Sequence, residues 1–303
     1  DLEQLFNEVF RVEEEWLTRW GYTPGEFAKR VFVDPDAFAV LPEHKEEDKQ
    51  TNGHIGSTNR GIGPEYKAKI SRSGKRIKDL LNEKNEWAIK LQNLGVQFKH
   101  VLELKREFSN KKLLFEGAQG IMLDINHGTY PFVSCSDATV AGIYASGFNF
   151  IKLDKVYGVA KSYLTKVGEG PFPTEIFGEE AESLRKMGNE YGATTGRPRR
   201  IGWFDLPAVK YACDKGGITN LIITKMDILN GSDSVKICTA YDKIPVCPSD
   251  FFNAKPQFIS LPGWTDAKNA MEADSFLSYI SSFSGCQVEY MSCGVRSEDI
   301  IQW

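Results

Sequence analysis

No stretch of this 303-residue chain stays apolar for the roughly 18 residues that a helical membrane span takes, so it is expected neither to span a membrane nor to be signal-anchored. Its cysteines, Cys135, Cys213, Cys238, Cys247, Cys286 and Cys293, make no C-x-x-C pair and no Cys/His group at zinc spacing, which excludes a zinc module and suits a reducing cytoplasm. A strong charge of one sign is also lacking. The net charge of -4 argues against nucleic acid as a partner, while a local cluster can still hold an anionic small ligand. Repeats and low-complexity tracts are absent. So is an opening Met: the chain starts "DLEQLFNEVFRVEEEWLTRW", which reads as an amphipathic helix using Leu2, Leu5, Phe6, Val9, Phe10 and Leu17. That looks like the middle of a protein, and residues upstream are expected to be missing.

With 41% hydrophobic and 26% charged residues, the chain can bury a sizeable core. The charged tract 44–52 reads as a solvated connection. "GSTNRGIGP" is a glycine-punctuated loop, followed by the basic helical stretch "KAKISRSGKRIKDLL" and a charged helix over 83–107. "KKLLFEGAQG" then reads as a buried strand feeding a loop, and "KVYGVAKSYLTKVG", "NLIITKMDIL", "VKICTAYD" and "VEYMSCG" repeat that theme. Helical patterns at 175–187, 204–215 and 268–283 lie between them. The alternation predicts an α/β fold with a large, mainly parallel sheet, whose ligands sit beyond the carboxyl ends of the strands.

Several loops carry candidate chemistry. In "GATTGRPRR", Pro198 fixes its own φ and biases Arg197 away from helix, so Arg197, Arg199 and Arg200 stand on a preset segment suited to carboxylates. A solvated basic loop or a localisation tag has the same composition, but this one runs directly into the apolar "IGWFDLPAVKYA". "GSTNRGIGP" offers glycine-freed amides with the hydroxyls of Ser57 and Thr58, which suit a phosphate, as a mobile surface turn also would. Arg72 and Arg76, four apart, share one face of the basic helix on this reading. Gln119 in "FEGAQG" could read a purine edge or cap a loop. Asp227 in "TKMD" could accept from the N1 and N2 edge of guanine with the Lys225 stem along the base, or cap a helix. His127 reads as a structural turn residue rather than an acid or base. "VGEGPFPTE" is a shaped loop aimed at the ligand crevice.

Taken in order, "GSTNRGIGPEY", "LLFEGAQGIMLDINHGTYPFV", "VGEGPFPTE", "GNEYGATTGRPRRIGWFDL", "TKMDIL" and "LPGWTD" resemble the adenylosuccinate synthetase family from about residue 53 onward. The resemblance implies a GTP-dependent ligase, Mg2+-assisted, that phosphorylates the 6-oxygen of IMP and lets L-aspartate displace the phosphate. It implies one domain over 1–303, with 53–80 as its substrate-phosphate loop and basic helix. IMP would be held by Ser57, Thr58, Ser134, Val167, Arg197 and Gln119, the last also the candidate catalytic residue, and by Arg72 from the other subunit of a homodimer. Aspartate would meet Thr195, Arg197 and Arg199, with Arg200 bracing the loop. GTP would meet Arg199, Lys225, Asp227, Ser292 and Gly294. Ser57 and Ser134 stand where the family usually has threonine, and "SCGVR" replaces its glycine-proline. The family's phosphate loop, catalytic aspartate, acid histidine and metal ligands lie upstream of Asp1, so no metal ligand is assigned and this polypeptide is expected to bind weakly and not to turn over. Two alternatives remain: a phage-type relative that ligates aspartate to dGMP, and a non-catalytic nucleotide-binding relative.

Overall fold

The Asp1 carboxylate accepts from the Gln4 amide and Gly21 turns left-handed at φ 66°, which bounds the opening helix, α1 (Leu2–Trp20). The computed structural model describes residues 1–51, 57–192, 196–269 and 271–303. It divides into two compact units, Asp1–Glu116 and Gly117–Trp303. Among the described residues no helix is long and apolar enough to cross a membrane.

The first unit packs α1 with α5 (Glu86–Leu94) and α4 (Ile77–Asn82) around Leu2, Val9, Ile77, Leu80, Ala88 and Leu91. Three expectations fail here. The charged tract is no connection but a helix, α2 (Pro42–Thr51). Its buried residues, His44 and Asp48, are four apart and polar, so a search for apolar periodicity passes over it. The expected helix over 83–107 is interrupted: Gly95 ends α5 at φ 114°, strand β2 (Gln97–Phe98) follows and pairs with β1 (Phe32–Val33), and α6 (Val101–Phe108) comes after it. The basic stretch also breaks. Helix α3 (Ile62–Ser71) closes on Arg72 at φ 66°, and Arg76 is the extended N-cap of α4, so the two arginines do not share a helix face.

The second unit holds the alternating part of the chain. Strands β3 (Tyr157–Lys161), β8 (Asn220–Thr224) and β11 (Gln287–Ser292) run parallel with β8 central, and β12 (Ile300–Gln302) adds antiparallel to β11. The parallel sheet is smaller than expected, because two further three-stranded sheets share the work. One joins β7 (Phe204–Asp205), β9 (Ser234–Tyr241) and β10 (Pro256–Pro262); the other joins β4 (Leu164–Lys166), β5 (Glu175–Ile176) and β6 (Arg200–Gly202). Leu221 and Ile223, alternate residues of β8, enter a core with Ile237, Phe276, Ile280 and Val288. Helices α8 (Gly178–Met187), α9 (Leu206–Gly216) and α10 (Asp274–Ser284) start later than the patterns implied, the first two because strand residues occupy 175–176 and 204–205. Residues 112–118 form no strand. Leu114 is 93% exposed, since an apolar run becomes a strand only where a neighbouring backbone accepts its hydrogen bonds.

Asp205 caps α9 by accepting from the Ala208 amide at 3.1 Å and accepts from the Tyr241 hydroxyl at 2.5 Å. Burial pushes its carboxyl up to about 6 despite both bonds. The folded state therefore holds this proton more tightly than the unfolded chain. The resulting stabilisation is full below about pH 4 and disappears as pH rises through about 6, a change of about 3 kcal/mol. Asp205→Asn keeps the cap and removes the titration. Urea denaturation from pH 4 to 7 should show the stability of the wild type relative to the variant falling across that window, and a flat difference would refute the assignment.

Candidate functional site

The carboxyl ends of β3, β8 and β11 lie side by side, and the residues just beyond them form one continuous edge. Ser162 follows β3; its amide donates to the Thr224 carbonyl and its hydroxyl to the Lys225 carbonyl, both at 2.8 Å. That second bond supports Lys225 at φ 62°, a left-handed conformation that a non-glycine residue holds only where its surroundings impose it. Trp264 Nε1 donates to the Met226 carbonyl at 3.0 Å. Asp227 thereby stands on a 3-10 turn, Met226–Leu229, that is pinned on both sides. It does not cap that turn: Lys225 occupies the N-cap position, and the Asp227 carboxylate accepts no hydrogen bond among the described residues. One strand over, the Ser292 hydroxyl donates to the Gly294 carbonyl at 2.9 Å, and a Cβ on Gly294 would come within 2.3 Å of the Asp299 carboxylate.

Beside this edge lies a buried carboxylate that the sequence reading did not single out. Glu190 is fully buried. Lys161 Nζ donates to both of its oxygens at 2.8 Å, Tyr163 Oη to one at 2.7 Å and Arg199 Nη1 to the other at 2.6 Å. Burial alone would raise the Glu190 pKa, but the bonds from Lys161 and Tyr163 bring it below the ordinary carboxylate value. Burial lowers that of Lys161 and raises that of Tyr163. The Tyr163 phenol also feels the charges of Asp227 and Arg199, so both stand near it. The remaining Nη2 and Nε donors of Arg199 make no bond among the described residues. They form the planar fork that a carboxylate or phosphate accepts in pairs.

Arg200 is expected to brace its own loop, but its side-chain partners among the described residues lie in the loop that precedes β5 and at the first residue of that strand. It pairs with Glu175 at 2.5 Å, while its Nη1 donates to the carbonyls of Gly168 at 3.2 Å and Gly170 at 2.9 Å. Val167, 41% exposed, begins that clamped loop. Arg197 is exposed, and its carbonyl accepts from the Gly192 amide at 2.8 Å; Thr195 lies outside the described residues. Gln119 is exposed at φ 71°. Ser134 shares a hydrogen bond with Ser136 at 2.8 Å. His127 is a turn residue, its amide donating to Asp124 and its carbonyl accepting from Tyr211.

In the first unit, Asp48 organises the glycine-rich loop. It accepts from the Ser57 hydroxyl and from the Gly61 amide, both at 2.9 Å. Gly61 needs its missing side chain: at φ 78°, a Cβ would meet the backbone of Lys45 at 2.8 Å. Thr58 and Arg72 are exposed nearby in sequence. One group among the described residues has ligand spacing for a metal: Asp34, Asp36 and His100. Its carboxylates are already committed. Asp36 pairs with Lys78 at 2.8 Å and Arg76 at 3.0 Å, and Asp34 accepts from the amides of Asp36 and Val101. Lys78 foremost holds Asp36 below its ordinary value. A hard divalent cation, which needs those oxygens free of competing cations, does not fit there.

The model of the adenylosuccinate synthetase family matches residues 1–109 and 82–301. The adenylosuccinate synthetase of Petrotoga mobilis is 42% identical over 99% of this chain and 79% of its own length. That of Finegoldia magna is 38% identical over 100% and 80%. The fully ligated adenylosuccinate synthetase of Plasmodium falciparum superposes with a TM-score of 0.85 at 28% identity, covering 100% of this chain and 82% of that one. The succinoaminodeoxyadenylate synthetase of cyanophage S-2L, bound to dGMP and dATP, shares the fold, with a TM-score of 0.64 at 20% identity over 97% and 73%. Motif order, strand-edge geometry and identity across nearly the whole chain converge: the protein belongs to the adenylosuccinate synthetase family of ligases.

Proposed function

We propose that the protein to which this chain belongs ligates L-aspartate to IMP, GTP first phosphorylating the 6-oxygen so that the amine of aspartate displaces phosphate and gives adenylosuccinate, GDP and phosphate. The observation that supports it best is the continuous strand edge carrying Lys225, Asp227, Ser292 and Gly294, with Arg199 held beside it by Glu190. On this reading Asp227 accepts from guanine N1 and N2, and the Lys225 stem lies along the base. The free fork of Arg199 takes the aspartate carboxylate and the transferring phosphate. Arg197 and Thr195 complete the aspartate loop, and Arg197 also approaches the ribose of IMP. Gln119 reads the hypoxanthine, Val167 lies against the ribose, and Ser57, Thr58 and Ser134 hold the 5′-phosphate. Arg72 reaches the same phosphate from the second subunit of a homodimer, and six free thiols fit a reducing cytoplasm. Mg2+ belongs to the reaction as the family performs it; among the described residues, the cluster Asp34, Asp36 and His100 has ligand spacing but does not fit a divalent cation.

The test is selectivity, which does not depend on turnover. Titration calorimetry with GTP, ATP, IMP and dGMP should give GTP preferred over ATP by about 100-fold or more, as expected where a half-buried carboxylate reads a base edge by hydrogen bonds, and IMP preferred over dGMP. Equal affinity for GTP and ATP would defeat the proposal; dGMP bound more tightly than IMP would move the substrate to the deoxyguanylate.

A further inference from the structure

We propose that Glu190 is a positioning residue of the ligation site: it grips Arg199 by Nη1 so that the Nη2 and Nε edge faces the incoming anion, while Lys225 latches the same Gly188–Glu190 segment from the guanine side. This rests on the roles given above to Arg199 and Lys225.

The hydrogen bonds point one way. Each Glu190 oxygen accepts two bonds, one from Lys161 and one from either Tyr163 or Arg199, so the carboxylate has no capacity left to compete for a ligand. Arg199 is tied to Glu190 twice, since its amide also donates to the Glu190 carbonyl at 2.9 Å, and Arg185 Nε fixes the Arg199 carbonyl at the same distance. Main chain and one guanidinium nitrogen are thus immobilised, which preorganises the opposite edge of the fork. Two cations on one carboxylate leave an excess positive charge at Arg199, where an anion is to arrive.

The link to the guanine side is equally direct. Lys225 Nζ donates to the Gly188 carbonyl at 2.8 Å. Gly188 lies so close to Tyr163 that a Cβ would come within 2.1 Å of its hydroxyl, the same hydroxyl that donates to Glu190. Three residues of chain, Gly188 to Glu190, therefore carry contacts from Lys225 at one end and Arg199 at the other. A lysine placed along the base and an arginine placed on an anion share one rigid support.

A purely structural Glu190 would make different demands. Its loss would loosen base and phosphate recognition alike. A positioning residue acting through Arg199 affects only ligands that carry the anion. Equilibrium binding of GTP and of guanosine should therefore be measured for the wild type, Glu190→Gln, Arg199→Leu and the double variant. Glu190→Gln keeps the shape while removing the charge that orients the fork. It should weaken GTP by about 10-fold and leave guanosine within a factor of about 2 of the wild type, within the scatter of independent sites. In the double variant GTP should bind no more weakly than in Arg199→Leu alone. Full additivity of the two losses, or equal loss of guanosine in Glu190→Gln, would overturn the proposal. A wild type that binds GTP no better than ATP in titration calorimetry would instead strike the underlying site assignment, which keeps the two failures apart.

Discussion

Asp227→Asn is expected to weaken GTP binding by about 100- to 1,000-fold and, in the same step, to raise binding of xanthosine triphosphate above that of GTP. Guanine presents two donors, N1–H and the N2 amino group, and a carboxylate accepts from both. Each such charge-assisted bond is worth about 1.5–3 kcal/mol, and each 1.4 kcal/mol is about tenfold in affinity. Asparagine offers one acceptor and one donor, which matches the N1–H and C2 carbonyl of xanthine. The structure makes the substitution clean. The Asp227 carboxylate accepts nothing among the described residues, so removing its charge orphans no neighbour, while the turn beneath it stays pinned by Trp264 and Ser162. Competition between the two triphosphates for a fluorescent guanine nucleotide checks it. An unchanged preference for guanine in Asp227→Asn would remove Asp227 from the base site.

The largest stability change should come from Glu190→Leu. Breaking a buried ion pair by removing one partner costs about 3–5 kcal/mol, because the remaining charge has lost both water and counterion. Here two cations and a buried tyrosine hydroxyl are stranded together. Lys161 and Arg199 each keep about a quarter of their side-chain exposure, which places the expected cost at the lower end, about 3 kcal/mol. For a domain of this size that lowers Tm by about 6–12 °C. Differential scanning calorimetry reads it directly; a drop under about 2 °C, less than 1 kcal/mol would give, would mean that the network carries no net stability. Glu190→Gln should fall well short of the leucine variant because the amide still offers an acceptor, and for that reason it is the functional probe.

The motif-bearing loops were legible in the sequence because their composition is set by local needs. Left-handed or tightly approached positions take glycine, a preset loop takes proline, and donors to anions take arginine and hydroxyls. The strands after which these loops sit were equally legible where a short apolar run meets a turn, as Leu221, Ile222 and Ile223 do in β8. The reading failed where the deciding contact is distant or polar. Helix α2 buries His44 and Asp48, which no hydrophobic period reveals. Arg72 and Arg76 have helical spacing, yet the chain turns left-handed at the first of them. Leu113 and Leu114 have the composition of a strand, but no strand among the described residues pairs with them.

Glu190 is the sharpest case. It stands in the quoted block "GNEYGATTGRPRR", a single acid ahead of three arginines, and that juxtaposition was the available signal. Residue order cannot say which arginine it grips, nor that Lys161, from a strand 29 residues away, meets it on the other side. The sequence by itself determined the family, the order of the loops and the kinds of ligand they suit, because these depend on residue type and near neighbours. Only the tertiary structure decided that Arg200 clamps the Val167 loop, that Asp48 holds Ser57, and that Arg199 and Lys225 share one support. Those outcomes depend on long-range packing, which brings charged groups out of water and into pairs that chain order does not encode.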